Sequence, residues 1–181
     1  LYTSDAAQQD GFIATAKAKG YDVLVLDGPL DTHFAAFLEQ KGGEKVQLKR
    51  IDSDVIEKLI EKDEKIELTL SEDESKKAVD VFNQAISRLD MQVQIEALSA
   101  NDLPVSVTLD EFMRRMKDMA KTGGGMNFYG TLPDNYKVTV NGNHPLVKRI
   151  IESTEEAGSK LAKQAFDLAL LSRGLLTGAD P

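Results

Sequence analysis

YDVLVLDG (Tyr21–Gly28) is a run of apolar residues closed by Asp27 and Gly28, the pattern of a strand buried on both faces. Leu1–Tyr2 reads as the end of an earlier strand. Between them, Ser4 or Asp5 can cap a helix over residues 5–19 that stops at Gly20. Strand, helix and buried strand in this order make a βαβ crossover, so the chain is expected to open as a small parallel sheet covered by helices. A second helix is predicted over 32–40 with Phe34, Phe37 and Leu38 turned inward, and VQLKRI (46–51) alternates as a further strand.

From Asp52 to Glu74 charge dominates, with a short apolar stripe at Val55, Ile56, Leu59 and Ile60. This segment reads as a hinge or short helix leading to a second unit. Ser71 and Glu74 have the spacing of a capping box. The helix they open is expected to bury Val79, Phe82, Ile86 and Leu89. MQVQIEAL (91–98) alternates as a half-exposed strand, with PVSVT (104–108) as its hairpin partner. Thr108 and Glu111 form a second capping-box pattern that would open a helix through the methionines at 113, 116 and 119. YKVTVN (136–141) is another strand, and HPLVKRII begins a helix with Pro145 in its first turn. A last helix over 159–173 is apolar on more than one face. Gly158–Ser159 just before it reads as a turn between two helical patterns, or as a join where a longer segment is missing.

The chain has 181 residues, a net charge of −8 and no cysteine. The acidic balance argues against a general binder of nucleic acid or anionic membranes. Without cysteine there is neither a disulfide nor thiolate chemistry. No apolar run has the length of a membrane span. GGGMNFYG (123–130) lacks the Lys-Ser/Thr of a phosphate loop and follows a helix pattern where such a loop would precede one. Asp27 and Asp52 each follow a predicted strand, where α/β enzymes often place acids. They define one alternative: a small-molecule-binding α/β enzyme domain. His33 and His144 fall in separate units, and His144 before Pro145 reads as a helix cap. With no cysteine and no paired histidine, zinc is not expected.

Two helices carry a different message. Phe112, Met113, Met116, Met119 and Ala120 share one stripe, opposite Arg114, Arg115, Lys117, Asp118 and Lys121. By periodicity such a stripe is core. Methionine is also soft and adaptable, which suits a surface that meets varied partners. In the last helix Leu161, Ala162, Ala165, Phe166, Leu168, Ala169, Leu170 and Leu171 leave little polar face. A second copy of the chain is the simplest way to cover the excess.

Several stretches together resemble the bacterial members of the heat shock protein 90 family of chaperones. They are IDSDVIEKLIEKDEK (51–65), FMRRMKDM (112–119) with GGGMNFYG (123–130), VNGNHPLVKRI (140–150) and AFDLALLSRGLL (165–176). LYTSDAAQQ (1–9) and AKAKGYDVLVLDGPLD (16–31) resemble the last α/β part of that family's middle domain. The likeness implies an α+β chain: residues 1–65 as the end of the middle domain and 66–181 as a dimerisation domain with a C-terminal helical bundle, its final helix absent. It implies a cytoplasmic, ATP-dependent chaperone whose ATP and magnesium site lies outside this chain. The fragment itself would then have no catalysis, cofactor or metal. It also implies a homodimer formed through Leu161, Ala165, Phe166, Leu168, Ala169, Leu170 and Leu171. Unfolded or partly folded client proteins would bind at Phe112, Met113, Met116, Met119 and Ala120.

Overall fold

The computed structural model describes residues 1–60, 66–86, 91–109 and 136–176. The fold is α+β, and these residues form two compact units, one of 1–60 with Leu109 and one of 66–86, 91–108 and 136–176.

In the first unit, β1 (Tyr2–Thr3) pairs in parallel with β2 (Leu24–Val25), Tyr2 opposite Leu24 and Thr3 opposite Val25. On its other side Tyr2 bridges Arg50, with Ile51 donating to the Tyr2 carbonyl at 2.8 Å. The βαβ order is therefore present. It is also much slighter than YDVLVLDG suggests. Only Leu24 and Val25 are strand, and both are about half exposed. Among the described residues β2 pairs with β1 alone, and the flanking Val23 and Leu26 are partly buried against the two small cores. VQLKRI forms no strand beyond the bridge at Arg50.

Helix α1 (Asp10–Ala18) starts later than its sequence pattern. Asp5 spends its carboxylate on a turn, Oδ1 accepting from the backbone N–H of Ala7 and Gln8 at 3.1 and 3.0 Å. The helix ends at Gly20 as expected. With φ of 80°, Gly20 lets its own N–H reach Lys17 and the N–H of Tyr21 reach Ala16, satisfying two terminal carbonyls. Helix α2 (Asp31–Gly42) buries Ala35 and half-buries Leu38, whereas Phe34 and Phe37 are 50% and 53% exposed. That reverses the expected orientation of the two phenylalanines. At 100° per residue the stripe through Ala35 and Leu38 leaves 34, 37 and 41 together on the outer face, where Lys41 lies over the Phe37 ring. Tyr2, Ala35 and Leu48 make one small core. Ala16, Ile51 and Ile56 make another with Leu1 and Phe12. Val55 precedes the short helix α3 (Ile56–Leu59), and Val55, Ile56 and Leu59 are buried as their stripe predicts.

In the second unit, Ser71 caps helix α4 (Glu72–Ala85). Ser71 Oγ accepts from Glu74 N–H at 3.3 Å, and Glu74 accepts from Ser71 N–H at 2.8 Å, the complete capping box. Ala78, Phe82 and Ile86 are buried and Val79 only half so; Leu89 lies outside the described residues. The sheet runs in the order β3 (Met91–Glu96), β5 (Tyr136–Asn141), β4 (Val105–Leu109). β3 and β5 are parallel, with Val93 opposite Val138 and Ile95 opposite Val140. The expected β3–β4 hairpin does not form, because β5 enters between them. ALSANDLP (97–104) is longer than a tight hairpin turn, and β5 is the strand fit for the centre, with Val138, Thr139, Val140 and Asn141 all buried. Thr108 is inside β4 and fully buried, so it is no helix cap. Its proposed partner Glu111, like the methionine helix itself, lies outside the described residues.

Helix α5 (Pro145–Glu152) and helix α6 (Glu155–Ser172) complete this unit. Phe82, Val107, Val138, Val140, Val147, Ile150, Phe166 and Leu170 form its core. Lys77 reaches from α4 to the Ile151 carbonyl near the end of α5, a favourable place for a cation. Gly158–Ser159 is not a turn. Both residues lie within α6, which begins four residues earlier than expected at a Thr154 cap. Gly158 is buried, and a Cβ there would stand 2.8 Å from the Ile150 carbonyl oxygen. The glycine lets α5 and α6 touch.

Candidate functional site

The outer face of α6 is the surface that the described residues single out. Thr154 Oγ1 accepts from the Ala157 N–H, and Glu155 and Glu156 sit in the first turn, where the helix dipole favours negative charge. At the other end Gly174 has φ of 63°, its N–H reaching Leu171 while the Leu175 N–H reaches Leu170. The helix is thus fixed at both ends by its own sequence.

Its inner face is Ala162, Ala165, Phe166, Ala169 and Leu170, all buried against α4, α5 and the sheet. Its outer face presents Leu168 at 66% and Leu171 at 60% exposure, beside a half-buried Leu161. Ala157, Leu161, Gln164, Leu168 and Leu171 follow one another at alternating steps of four and three. That is the spacing of a seam along which two helices pack side by side. Lys160–Glu156 and Lys163–Asp167 pairs lie along the same helix. The seven residues predicted for an interface therefore divide. Leu161, Leu168 and Leu171 face outward to different degrees, and Ala165, Phe166, Ala169 and Leu170 serve this chain's own core. Covering an exposed leucine is worth about 1.5–3 kcal/mol, which gives the outer stripe a driving force for association.

The residues expected to contact clients, Phe112, Met113, Met116, Met119 and Ala120, all lie outside the described residues. The acids of the enzyme alternative are placed as follows. Asp27 is exposed. Asp52 is buried and bound by Arg50, whose Nε donates to Oδ1 and whose Nη2 donates to Oδ2 at 2.9 Å, while Nη1 reaches Ser4 Oγ at 3.2 Å. Asp52 is thereby committed to tying residue 50 to residue 4. A cavity of about 340 Å³ in this unit is lined by Leu1, Glu44, Lys45, Gln47, Lys49, Leu59 and Ile60, and by neither acid. Among the described residues no group of three or more histidines and acids could hold a metal, and no helix is long and apolar enough to cross a membrane.

His33 is exposed on α2. His144 caps α5 as expected, its Nδ1 accepting from the Leu146 N–H at 3.0 Å, and burial lowers its pKa below the ordinary histidine value. The residues that sequence reasoning passed over are Asn141 and Asn143, on either side of Gly142. Asn141 is fully buried and donates from Nδ2 to the Ser99 carbonyl at 2.7 Å. Asn143 donates to the carbonyls of Glu67 and Leu98 and accepts from the N–H and hydroxyl of Thr69. Two asparagines around a glycine between a strand and a capped helix were the available signal.

No family model matches the chain. It is similar to a chaperone protein HtpG of Porphyromonas gingivalis, 41% identical over 160 residues that make up 87% of this chain. Chaperone proteins HtpG of Bacteroides thetaiotaomicron and Bacteroides fragilis are 39% identical over 160 residues and 38% identical over 159 residues. In each case the chain spans 23% of the length of the relative it matches.

Proposed function

The chain is homologous to the C-terminal portion of the HtpG chaperones, and on that premise we propose that it is the dimerising and client-contacting part of an ATP-driven heat shock protein 90 chaperone. In this reading residues 1–65 end a middle domain and 66–181 form the dimerisation domain. ATP binding and hydrolysis belong to other parts of the longer protein, so the fragment alone turns over no nucleotide, and it works in the cytoplasm. The observation that carries the reading is the outward stripe of α6. Leu168 and Leu171 stand exposed at seam spacing on a helix whose opposite face already closes the core. A partner α6 laid along Leu161, Leu168 and Leu171 would cover them. Client proteins would meet the methionine stripe of Phe112, Met113, Met116, Met119 and Ala120, where flexible thioethers adapt to varied apolar segments.

The test is the mass in solution of the parent and of a Leu168→Asp, Leu171→Asp variant across a concentration series. The parent should show a concentration-dependent dimer and the variant a monomer of unchanged fold. One identical mass for both at every concentration would remove α6 as the interface. For client contact, a Met116→Ser, Met119→Ser variant should bind an unfolded protein more weakly than the parent does. Equal binding would place client contact elsewhere.

A further inference from the structure

The link between β5 and α5 contains Asn141–Gly142, the pairing in which a side-chain amide is most readily lost. With no side chain on residue 142, its backbone nitrogen can approach the preceding carboxamide carbon. In this fold both reacting groups are engaged. Asn141 is fully buried, its Nδ2 donating to the Ser99 carbonyl at 2.7 Å and its Oδ1 accepting from the Asn143 N–H at 3.1 Å. The Gly142 N–H, the nitrogen that would attack, donates to the Glu96 carbonyl at 2.9 Å. Asn143 closes the junction. Its amide uses all four of its hydrogen-bonding positions, donating to Glu67 and Leu98 at 2.9 and 3.0 Å and accepting from Thr69 N–H and Oγ1 at 2.8 and 3.0 Å. Residues 67–69 belong to no regular element, and their bonds to Asn143 are solvent-exposed. Such contacts open more readily than a core does.

We propose that Asn141 is a modification site, inert while this asparagine junction is closed and converted to aspartate or isoaspartate when it opens. The Gly142 nitrogen gives its proton to solvent hydroxide and bonds to Asn141 Cγ. The Cγ–Nδ2 bond breaks, and the side-chain nitrogen leaves as ammonia with a proton from water, closing a five-membered imide. Water then adds to either imide carbonyl and the bond from that carbon to the ring nitrogen breaks, the hydroxyl staying on carbon and the proton passing to the freed nitrogen. One direction gives aspartate, and the other moves the main chain onto the side-chain carbon as isoaspartate. No electron changes hands, and the net exchange is NH₂ for OH. The new carboxylate faces the Ser99 carbonyl that Nδ2 had served, so two acceptors meet in a buried place and the junction does not reclose.

The experiment follows residue 141 by peptide mapping and mass spectrometry during warm, mildly alkaline incubation of the chain and of a synthetic peptide covering 137–146. Conversion should be slower in the folded chain by about 100-fold or more, equivalent to an opening free energy of about 2.7 kcal/mol at 1.36 kcal/mol per decade. Asn143→Ala should speed it by about tenfold or more, one such decade, at a temperature where circular dichroism shows the variant folded. If Asn143→Ala does not fold, Thr69→Val removes only the hydroxyl donor and should move the rate in the same direction. Equal rates in chain and peptide overturn the proposal. So does a rate unmoved by the folded variant, since conversion would then follow global unfolding and not the junction.

Discussion

Replacing Gly158 with alanine sets two effects of opposite sign against each other. In an open helix interior the change would stabilise by about 1 kcal/mol, because alanine loses less backbone freedom on folding. Here the added Cβ would lie 2.8 Å from the Ile150 carbonyl oxygen of α5. Carbon and oxygen in comfortable contact stand about 3.3–3.6 Å apart, so the two helices must part by roughly 0.5 Å or tilt. Backbone cannot rotate aside as a side-chain tip can, and overpacking of this kind costs about 1–3 kcal/mol. The clash should win. The expected outcome is net destabilisation of about 1 kcal/mol, which lowers the melting temperature by about 4 °C for a domain of this size. The assay is paired thermal and urea unfolding of Gly158→Ala and Ser159→Ala, the second adding helix propensity at the next position with no comparable contact. Ser159→Ala should be neutral or slightly stabilising. If Gly158→Ala melts above the parent by the margin that propensity alone provides, the close approach of α5 and α6 is wrong.

Three further outcomes are expected. Leu168→Asp with Leu171→Asp should shift the stability of the monomeric unit by no more than about 0.5 kcal/mol, whereas Phe166→Ala should cost about 3–5 kcal/mol; urea denaturation at low protein concentration compares them. Ser71→Ala removes the acceptor for Glu74 N–H and should cost about 1 kcal/mol, read as a lower urea midpoint with an unchanged slope. His144 caps α5 only when Nδ1 is unprotonated, and burial holds its folded pKa below the unfolded value. Its contribution is therefore complete above about pH 6.5 and is lost as the pH falls through that value toward the lowered folded pKa. The melting temperature of the parent should fall between about pH 7 and pH 5 more steeply than that of His144→Asn, which keeps a cap acceptor without the titration.

What was legible in the sequence was local. Ser71 with Glu74, His144 before Pro145 and the stop at Gly20 each satisfy backbone groups within a few residues of themselves, so their spacing announces them. What was hidden depends on distant partners. The alternation of 91–98 and 104–108 shows two strands, but only the buried residues of β5 explain why they do not pair. Phe34 and Phe37 look like core by chemistry, and the small Ala35 takes the inward position because α2 lies close to Tyr2 and Leu48. Gly158 reads as a break until the Ile150 carbonyl is seen against it. The candidate surface was half legible for the same reason. Period alone shows that α6 is apolar on several sides, and only the packed core assigns Phe166 and Leu170 inward and Leu168 and Leu171 outward.

The order β3-β5-β4 also bears on synthesis. A ribosome releases β3 and β4 while the strand that belongs between them is still unmade, and Met91 must wait for Tyr136 before its first ladder partner exists. During that interval both early strands carry unpaired backbone groups along two edges, the condition that invites pairing with another chain. Arrival of residues 136–141 pairs one edge of each strand at once, and helices α5 and α6 follow directly to cover the face. The second unit therefore gains its sheet late and in one step, so a stall just before Tyr136 should leave a species far more prone to aggregate than a stall just after Ser172.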